Sequence, residues 1–464
     1  MHLSSFPRPA LPTVITEKNF MQFNVIKGLA TRIANGNLRS AIVKHFRQGA
    51  FLRNFSVVMS GTAFAQLIGF ALMPVVSRLF TPSDFGIFGS YNAVLAVLSA
   101  FVTLQYNQAV VLPERIQDAI NLFFVSCLSV ALVTGLCALA ALFFPGEAQY
   151  LMKAPSRWFL LLLTVSVLVA GLNQSLQSWC IRVKAFTHTS ISQVIRSLSA
   201  AGIWTAAGIG HAGAVGLVLG SICAEVLSSL NLSRVLKRDL NQTRAFVSWT
   251  KMKQLARDFS DFPAFAAPQN LMNALSQGLP VLLMSHFYGI GIAGAYAFSI
   301  RILQAPMNLV LTPLRQVLFQ KASETHNQGG DLYSLFLKIT GGLMAVAIVP
   351  SAILFIWAPQ IFSWVFGREW VEAGTYARWL MLWIFIMFSN VPSTLIARIL
   401  RQQRSLLVYE CIVLLSRTII LIVGGIYWQS LTTVILFSIL GCILNVALIL
   451  WARSLIIKND SGRL

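Results

Sequence analysis

The chain is a succession of long apolar runs joined by short polar connections, and that pattern leaves few folds open to it. An α-helix needs about 20 apolar residues to cross a bilayer core of about 30 Å at 1.5 Å per residue. Inside hydrocarbon only a helix or a closed barrel satisfies its own backbone polar groups. Read by apolar length, the runs fall at 54–80, 85–112, 119–144, 158–181, 190–209, 212–232, 264–288, 292–319, 333–357, 376–399, 406–428 and 431–457. Hydrophobic residues make up 56 % of the 464 and charged residues only 11 %, against about 45–50 % apolar in soluble domains. Mean hydropathy is +0.71. These features exclude a soluble enzyme and predict an all-α polytopic membrane protein: about twelve transmembrane helices in two six-helix lobes around a central cavity.

The charge balance, 35 Lys+Arg against 15 Asp+Glu, would suggest nucleic acid in a soluble chain. Here topology explains it, and no nucleic-acid partner is expected. An even number of spans puts both termini on one side. That side collects Arg234, Lys237, Arg238, Arg244, Lys251, Lys253 and Arg257, whereas the opposite connections hold Arg78, Lys153, Arg157, Arg368 and Arg378. Cations concentrate on the cytoplasmic side of membrane proteins, so both termini are expected there. The resulting plan is a basic N-terminal tail at 1–53, an N-lobe at 54–232, a basic linker with an amphipathic helix at 233–263, a C-lobe at 264–457 and a C-terminal tail at 458–464. Residues 25–51 read equally as an interfacial helix on an anionic leaflet or as part of a leader, with Met21 as a later start. Cys127, Cys137, Cys180, Cys223, Cys411 and Cys442 lie in apolar runs without metal-ligand spacing, so no metal or cofactor is expected.

A short internal repeat supports the division into halves. SRLFTPSDFGIF, beginning at Ser77, aligns with SHFYGIGIAGAY, beginning at Ser285, sharing serine first, an aromatic fourth, glycine tenth and an aromatic twelfth. Both copies sit where an odd-numbered span passes into the next, as a parallel six-helix duplication requires.

Residues that do not belong in hydrocarbon mark the candidate site. Arg301 and Arg417 are central in their spans, too deep to snorkel easily. Arg196 and Arg315 read equally as cavity or interfacial side chains. Glu225 and Glu410 are the membrane carboxylates, candidates either for coupling to H⁺ or Na⁺ or for neutralising an arginine. Cations outnumber carboxylates within the spans, which suits an anionic substrate such as a diphosphate. Polar faces at helical spacing are Asn270, Asn273 and Gln277; Gln105 and Gln108; and Asn173 and Gln177, with Gln66 in the first span. These fit either glycan recognition or interhelical hydrogen bonding. Pro74, Pro280, Pro306 and Pro313 interrupt their spans as candidate hinges.

Two stretches carry a family resemblance. SGTAFAQLIGFALMPVVSRLFTPSDFGIFGSY resembles the first two helices of bacterial Wzx-type oligosaccharide flippases, in its pattern of Arg, two residues, Thr-Pro, two residues and Phe-Gly. AGAYAFSIRILQAPMNLVLTPLRQVLFQKASE resembles the eighth helix of the same family, with Arg301 and Pro306 in matching positions and Gln320 where a proline is common. The resemblance implies membership of the multidrug/oligosaccharidyl-lipid/polysaccharide exporter superfamily and a place in the bacterial inner membrane. It implies a flippase moving undecaprenyl-diphosphate-linked oligosaccharide from the cytoplasmic to the periplasmic leaflet for O-antigen, capsule or exopolysaccharide. The implied partners are that lipid-linked substrate and membrane lipids, with polysaccharide polymerase and chain-length proteins as further candidates. Arg301, with Arg417, Arg196 and Arg315, would face the diphosphate. The rivals are a cation-coupled multidrug exporter, disfavoured because 54–80 holds no carboxylate, and a membrane polymerase or ligase, disfavoured by short outer connections. A lipid II flippase would show two further helices and an arginine-rich first span.

Overall fold

A computed structural model describes residues 63–153, 155–327, 330–400 and 402–461. The tail at 1–53, its segment 25–51 and the start of the first span at 54–62 lie outside the described residues.

Among the described residues the chain is helical, without strands. The N-lobe comprises α1 (Ala63–Leu79), α2 (Pro82–Phe101), the single turn α3 (Tyr106–Ala109), α4 (Ile116–Phe143), the short α5 (Pro145–Met152), α6 (Trp158–Arg182), α7 (Phe186–Ile209) and α8 (Gly213–Thr243). A linker helix, α9 (Trp249–Asp258), leads to the C-lobe: α10 (Ala267–Tyr288), α11 (Ile290–Asn327), α12 (Leu332–Phe366), α13 (Val371–Ser389), α14 (Val391–Ile399), α15 (Gln403–Tyr427) and α16 (Ser430–Ser461). With α13 and α14 as one broken span, this is the expected set of about twelve membrane helices.

Local chemistry fixes the helix ends. α2 starts at a reciprocal cap, the Asp84 amide donating to Thr81 Oγ1 (3.2 Å) and the Thr81 amide to Asp84 Oδ2 (3.0 Å), with Pro82 in the first turn. Asp331 accepts the Ser334 amide at 2.8 Å to begin α12, which stops at Gly367, φ 114°. The second span is shorter than its apolar run: α2 ends at Phe101, and Leu104 and Gln105 take left-handed φ of 47° and 61°. Side-chain amides serve the end of that helix, Gln105 Nε2 donating to Ala100 O (2.6 Å) and Gln174 Nε2 to Ser99 O (3.2 Å). Pro74 opens the second segment of α1 after a turn at Leu72, and Pro280 lies within α10. By contrast, α11 runs as one helix through Pro306 and Pro313. α8 likewise continues past residue 232 to Thr243, so the start of the expected linker is helix.

The turns at Phe80, Phe144, Gly210, Gly289 and Gly367 define one end of the bundle, called here the hairpin end; α9 lies at the other, the linker end. α9 is amphipathic and docks its apolar face, with Leu255 buried, on α3 and α4. Tyr106 Oη donates to Ala256 O (2.9 Å), and Lys251 Nζ lies 3.5 Å from Asp118 Oδ1. Asn121 closes the attachment, donating to Phe246 O (2.9 Å) and accepting the Ser248 amide (3.0 Å).

Among the described residues eight helices are long and apolar enough to cross a membrane on length and composition alone. Outside that set are α1, described only over Ala63–Leu79, and α7, α10 and α11, whose apolar stretches are interrupted by polar residues. Three of these four wall the cavity described next.

Candidate functional site

A cavity of about 710 Å³ lies between α1, α2, α6, α7 and α8 of the N-lobe and α11 of the C-lobe, within the roughly 300–1,000 Å³ typical of ligand sites. Its charged residues are Arg196, Glu225 and Arg301. Arg196 Nη1 and Glu225 Oε2 form an ion pair at 3.1 Å, with side chains 54 % and 20 % exposed. They cancel as charges, although their exposure keeps the pair weak. Arg301 has no such counterpart: among the described residues no carboxylate forms an ion pair with it. Its guanidinium carbon lies 4.9 Å from the centroid of the Trp204 ring, a cation–π contact. The cavity therefore carries one uncompensated positive charge.

The rest of the wall is uncharged and largely apolar, with polar groups set into it. Tyr91 Oη and Ser166 Oγ are 2.6 Å apart, Ser197 Oγ donates to Ala65 O at 2.6 Å, and Gln66 Oε1 is buried without a hydrogen-bond partner among the described residues. Arg301, Gln304 and Asn308 line the cavity from α11. Their spacing of three and four places them on one helical face, the same signal that singles out Asn270, Asn273 and Gln277. Reading Arg301 alone missed its companions, while Trp204, Tyr91 and Asn92 give no sequence signal beyond an amphipathic side chain in an apolar helix.

Gln66, Arg196, Glu225 and Arg301 are thus brought together, and the other candidates lie elsewhere. Arg417 belongs to the C-lobe interior, its guanidinium carbon 4.4 Å from the Trp383 centroid and 5.3 Å from that of Phe437. Arg315 and Glu410 are exposed and line no part of the cavity. Asn173 donates to Ser228 (3.3 Å) and Ser229 (2.8 Å), tying α6 to α8, and its Oδ1 accepts from Gln177. Gln105 and Gln108 bond each other at the break after α2. Gln277 donates to Asn273 (3.2 Å) on α10, also outside the cavity lining, as is Asn270.

At the hairpin end the lobes are joined. Arg78 donates to Trp364 O (3.0 Å) and Val365 O (3.4 Å), Ser77 Oγ to Phe366 O (3.1 Å) and Trp370 Nε1 to Ser77 O (2.8 Å). Beneath these bonds Phe298 and Trp370 stack at 4.0 Å, with Phe85 edge-on to both at 5.2 Å and 5.1 Å. These contacts close the lobes on each other at the hairpin end, and Arg196 in the cavity wall is half exposed. Of the motif of the first resemblance, Ser77, Arg78, Pro82, Phe85 and Gly86 belong to this joint, while Thr81 caps α2.

Comparison with solved structures gives the fold. The chain is similar to an inward-facing multidrug resistance MATE-family transporter of the MOP superfamily (TM-score 0.69, 13 % identity, 85 % of this chain and 98 % of that one). It is similar to the lipid II flippase MurJ in an inward closed conformation (TM-score 0.65, 13 % identity, 87 % and 90 %). A third similar structure is a MOP-superfamily transporter from Pyrococcus furiosus (TM-score 0.54, 13 % identity, 86 % and 95 %). No curated protein sequence is a significant match. This multi-pass membrane protein therefore shares the two-lobed helical fold of these transporters. A family model described as "Polysaccharide biosynthesis protein" matches residues 75–375, and the chain belongs to that family.

Proposed function

We propose that the protein is a flippase that carries undecaprenyl-diphosphate-linked oligosaccharide from the cytoplasmic to the periplasmic leaflet of a bacterial inner membrane by alternating access. The observation that carries this reading is Arg301, a cation in the cavity wall that pairs with no carboxylate among the described residues, the cavity's Glu225 being taken by Arg196. A diphosphate supplies the missing charge, and guanidinium–phosphate hydrogen bonds are strong and directional. Neutral groups such as Gln66, Asn92 and Gln304 offer the donors and acceptors that sugar hydroxyls need. The prenyl chain stays in lipid while the polar head crosses through the hydrated cavity, avoiding the penalty of dehydrating phosphate and hydroxyls.

The linker end takes the cytoplasm by its cations. With the lobes closed on each other at the hairpin end, the cavity then stands in the state that loads substrate from the cytoplasmic side. Arg417 reads as a C-lobe charge modulating the cycle, Glu225 as the partner of Arg196, and Pro74 and Pro280 as the bending points. Coupling to H⁺ or Na⁺, and contact with polymerase and chain-length proteins, belong to the same proposal. A drug exporter of cations is disfavoured by the sign of the cavity.

The test is the lipid-linked oligosaccharide pool in a deletion strain complemented with wild type, Arg301→Ala or Arg301→Lys at matched membrane levels. Accumulation of glycan on its prenyl diphosphate without the gene and with Arg301→Ala is the expected result. Full rescue by Arg301→Ala removes the anchor and keeps the flippase; no accumulation in the deletion removes the flippase.

A further inference from the structure

Trp204 is held more tightly than packing in a membrane helix requires. Its indole N–H donates to Leu217 O at 2.9 Å, and Phe88 meets its ring edge-on at 5.8 Å. Its ring also lies in a slot that exists because residue 220 is glycine: a Cβ there would sit 2.5 Å from Trp204 Cδ1. One face of this fixed ring lies under the Arg301 guanidinium, 4.9 Å away. Trp204 is on α7 of the N-lobe and Arg301 on α11 of the C-lobe, so the contact crosses between the halves.

We infer that Trp204 is a positioning residue for anion binding: an aromatic platform in one lobe that aims the Arg301 guanidinium of the other, so that the diphosphate site is complete only while this lobe arrangement persists. The inference rests on the reading of Arg301 as the anion anchor. An aromatic face differs from a carboxylate as a partner for arginine. A carboxylate takes N–H donors and cancels the charge, whereas a ring attracts the cation without accepting conventional hydrogen bonds, leaving the in-plane donors for a ligand. Among the described residues no hydrogen bond from Arg301 to another side chain competes for them. Because ring and guanidinium come from opposite lobes, reorientation of the lobes separates them. The anion is then held tightly in the arrangement that loads it and loosely in the arrangement that releases it, as directional transport requires of a differential affinity.

The experiment uses the purified full chain in detergent and measures binding of farnesyl diphosphate by calorimetry. Wild type is compared with Arg301→Ala, Trp204→Leu, Trp204→Phe and Gly220→Ala, each checked for an unchanged melting transition. Trp204→Leu is expected to weaken binding about five- to thirtyfold, the range of a desolvated cation–π contact. Trp204→Phe, which keeps an aromatic face, is expected to recover most of that loss. Gly220→Ala, which displaces the ring without touching Arg301, should also weaken binding. A protein carrying Arg78→Cys and Val365→Cys joined by a bifunctional thiol reagent at the hairpin end should bind at least as tightly as the same protein without the linker.

Wild-type affinity in Trp204→Leu together with loss in Arg301→Ala overturns the platform and keeps the anchor. Equal weakening in Trp204→Leu and Trp204→Phe overturns it as well, since that pattern reports volume or the indole N–H. Weaker binding in the cross-linked protein overturns the dependence on lobe arrangement. Unchanged binding in Arg301→Ala overturns the anchor itself, and the platform with it. If Trp204→Leu does not fold, Gly220→Ala and Trp204→Phe decide the question: wild-type binding in Gly220→Ala overturns the platform.

Discussion

Gly86 and Gly294 are buried against each other's helices in a reciprocal crossing of α2 and α11. A Cβ on Gly86 would lie 1.9 Å from Ile290 O, and one on Gly294 would lie 1.8 Å from Pro82 O and 2.7 Å from the Gly86 nitrogen. The pairs 82/290 and 86/294 have equal offsets, so the internal repeat is realised as a symmetric contact between the halves. Close backbone approach at small residues is how membrane helices pack without a hydrophobic driving force.

This crossing predicts that Gly86→Ala or Gly294→Ala disrupts the joint between the lobes. Backbone carbonyls, unlike long side chains, cannot rotate out of the way, so each substitution should destabilise by at least the roughly 1–3 kcal/mol of an overpacked core. Gly135→Ala is the control, because a Cβ there meets nothing within 4 Å. It should leave the melting temperature unchanged or slightly raised, since alanine favours helix over glycine by about 1 kcal/mol. Equal melting temperatures for all three variants would remove the crossing as a structural requirement.

The ion pair in the cavity predicts an opposite kind of effect. Arg196 and Glu225 are both partly solvated, so Glu225→Gln should change stability by less than about 1 kcal/mol. It should nevertheless leave Arg196 uncompensated and tighten farnesyl diphosphate binding, an effect that added salt reduces. Transport lost with binding retained would instead make Glu225 a coupling carboxylate.

The sequence disclosed this architecture unevenly, for physical reasons. Helix count and lobe division are legible because a bilayer imposes a length and a polarity on every span. The joint is legible as a repeat, since two glycines at matched positions leave a trace that survives in sequence. Arg301, Arg196 and Glu225 stand out because charge in an apolar run is expensive. What periodicity cannot say is which neighbour a face meets. Asn173 and Gln177 share a face, yet that face meets Ser228 and Ser229 rather than the cavity. Arg417 is as central as Arg301, but Trp383 and Phe437 enclose it in the C-lobe. Trp204 was invisible for the complementary reason: an indole in an apolar helix looks like core until the guanidinium of Arg301, from the other lobe, is seen over it.

The hairpin-end bonds predict a shift in lobe arrangement. Arg78→Ala removes donors to Trp364 O and Val365 O, and Trp370→Phe removes the bond to Ser77 O while keeping a ring against Phe298. With a net worth of about 1 kcal/mol for each of these three bonds, about 3 kcal/mol in all, the double variant should raise the population open at this end about a hundredfold. The measurement is labelling of Asn92→Cys, on the cavity wall, by an impermeant maleimide applied from the hairpin side. An unchanged labelling rate would mean that these bonds do not hold this end closed.

Asn121 predicts how the linker is anchored. It is fully buried on α4, and its single amide serves two backbone groups of the chain entering α9, Phe246 O as donor and the Ser248 amide as acceptor. Asn121→Ala leaves both without that partner, and since Phe246 and Ser248 are themselves exposed the loss is about 1 kcal/mol for each hydrogen bond, about 2 kcal/mol together. Lys251→Ala removes only a half-exposed contact to Asp118, worth about 1 kcal/mol at most. Limited trypsin digestion should therefore cut Asn121→Ala at Lys251, Lys253 or Arg257 well before wild type. Lys251→Ala should resist at Lys253 and Arg257 as wild type does. The inverse order would place the anchor in the ion pair and not in the buried amide.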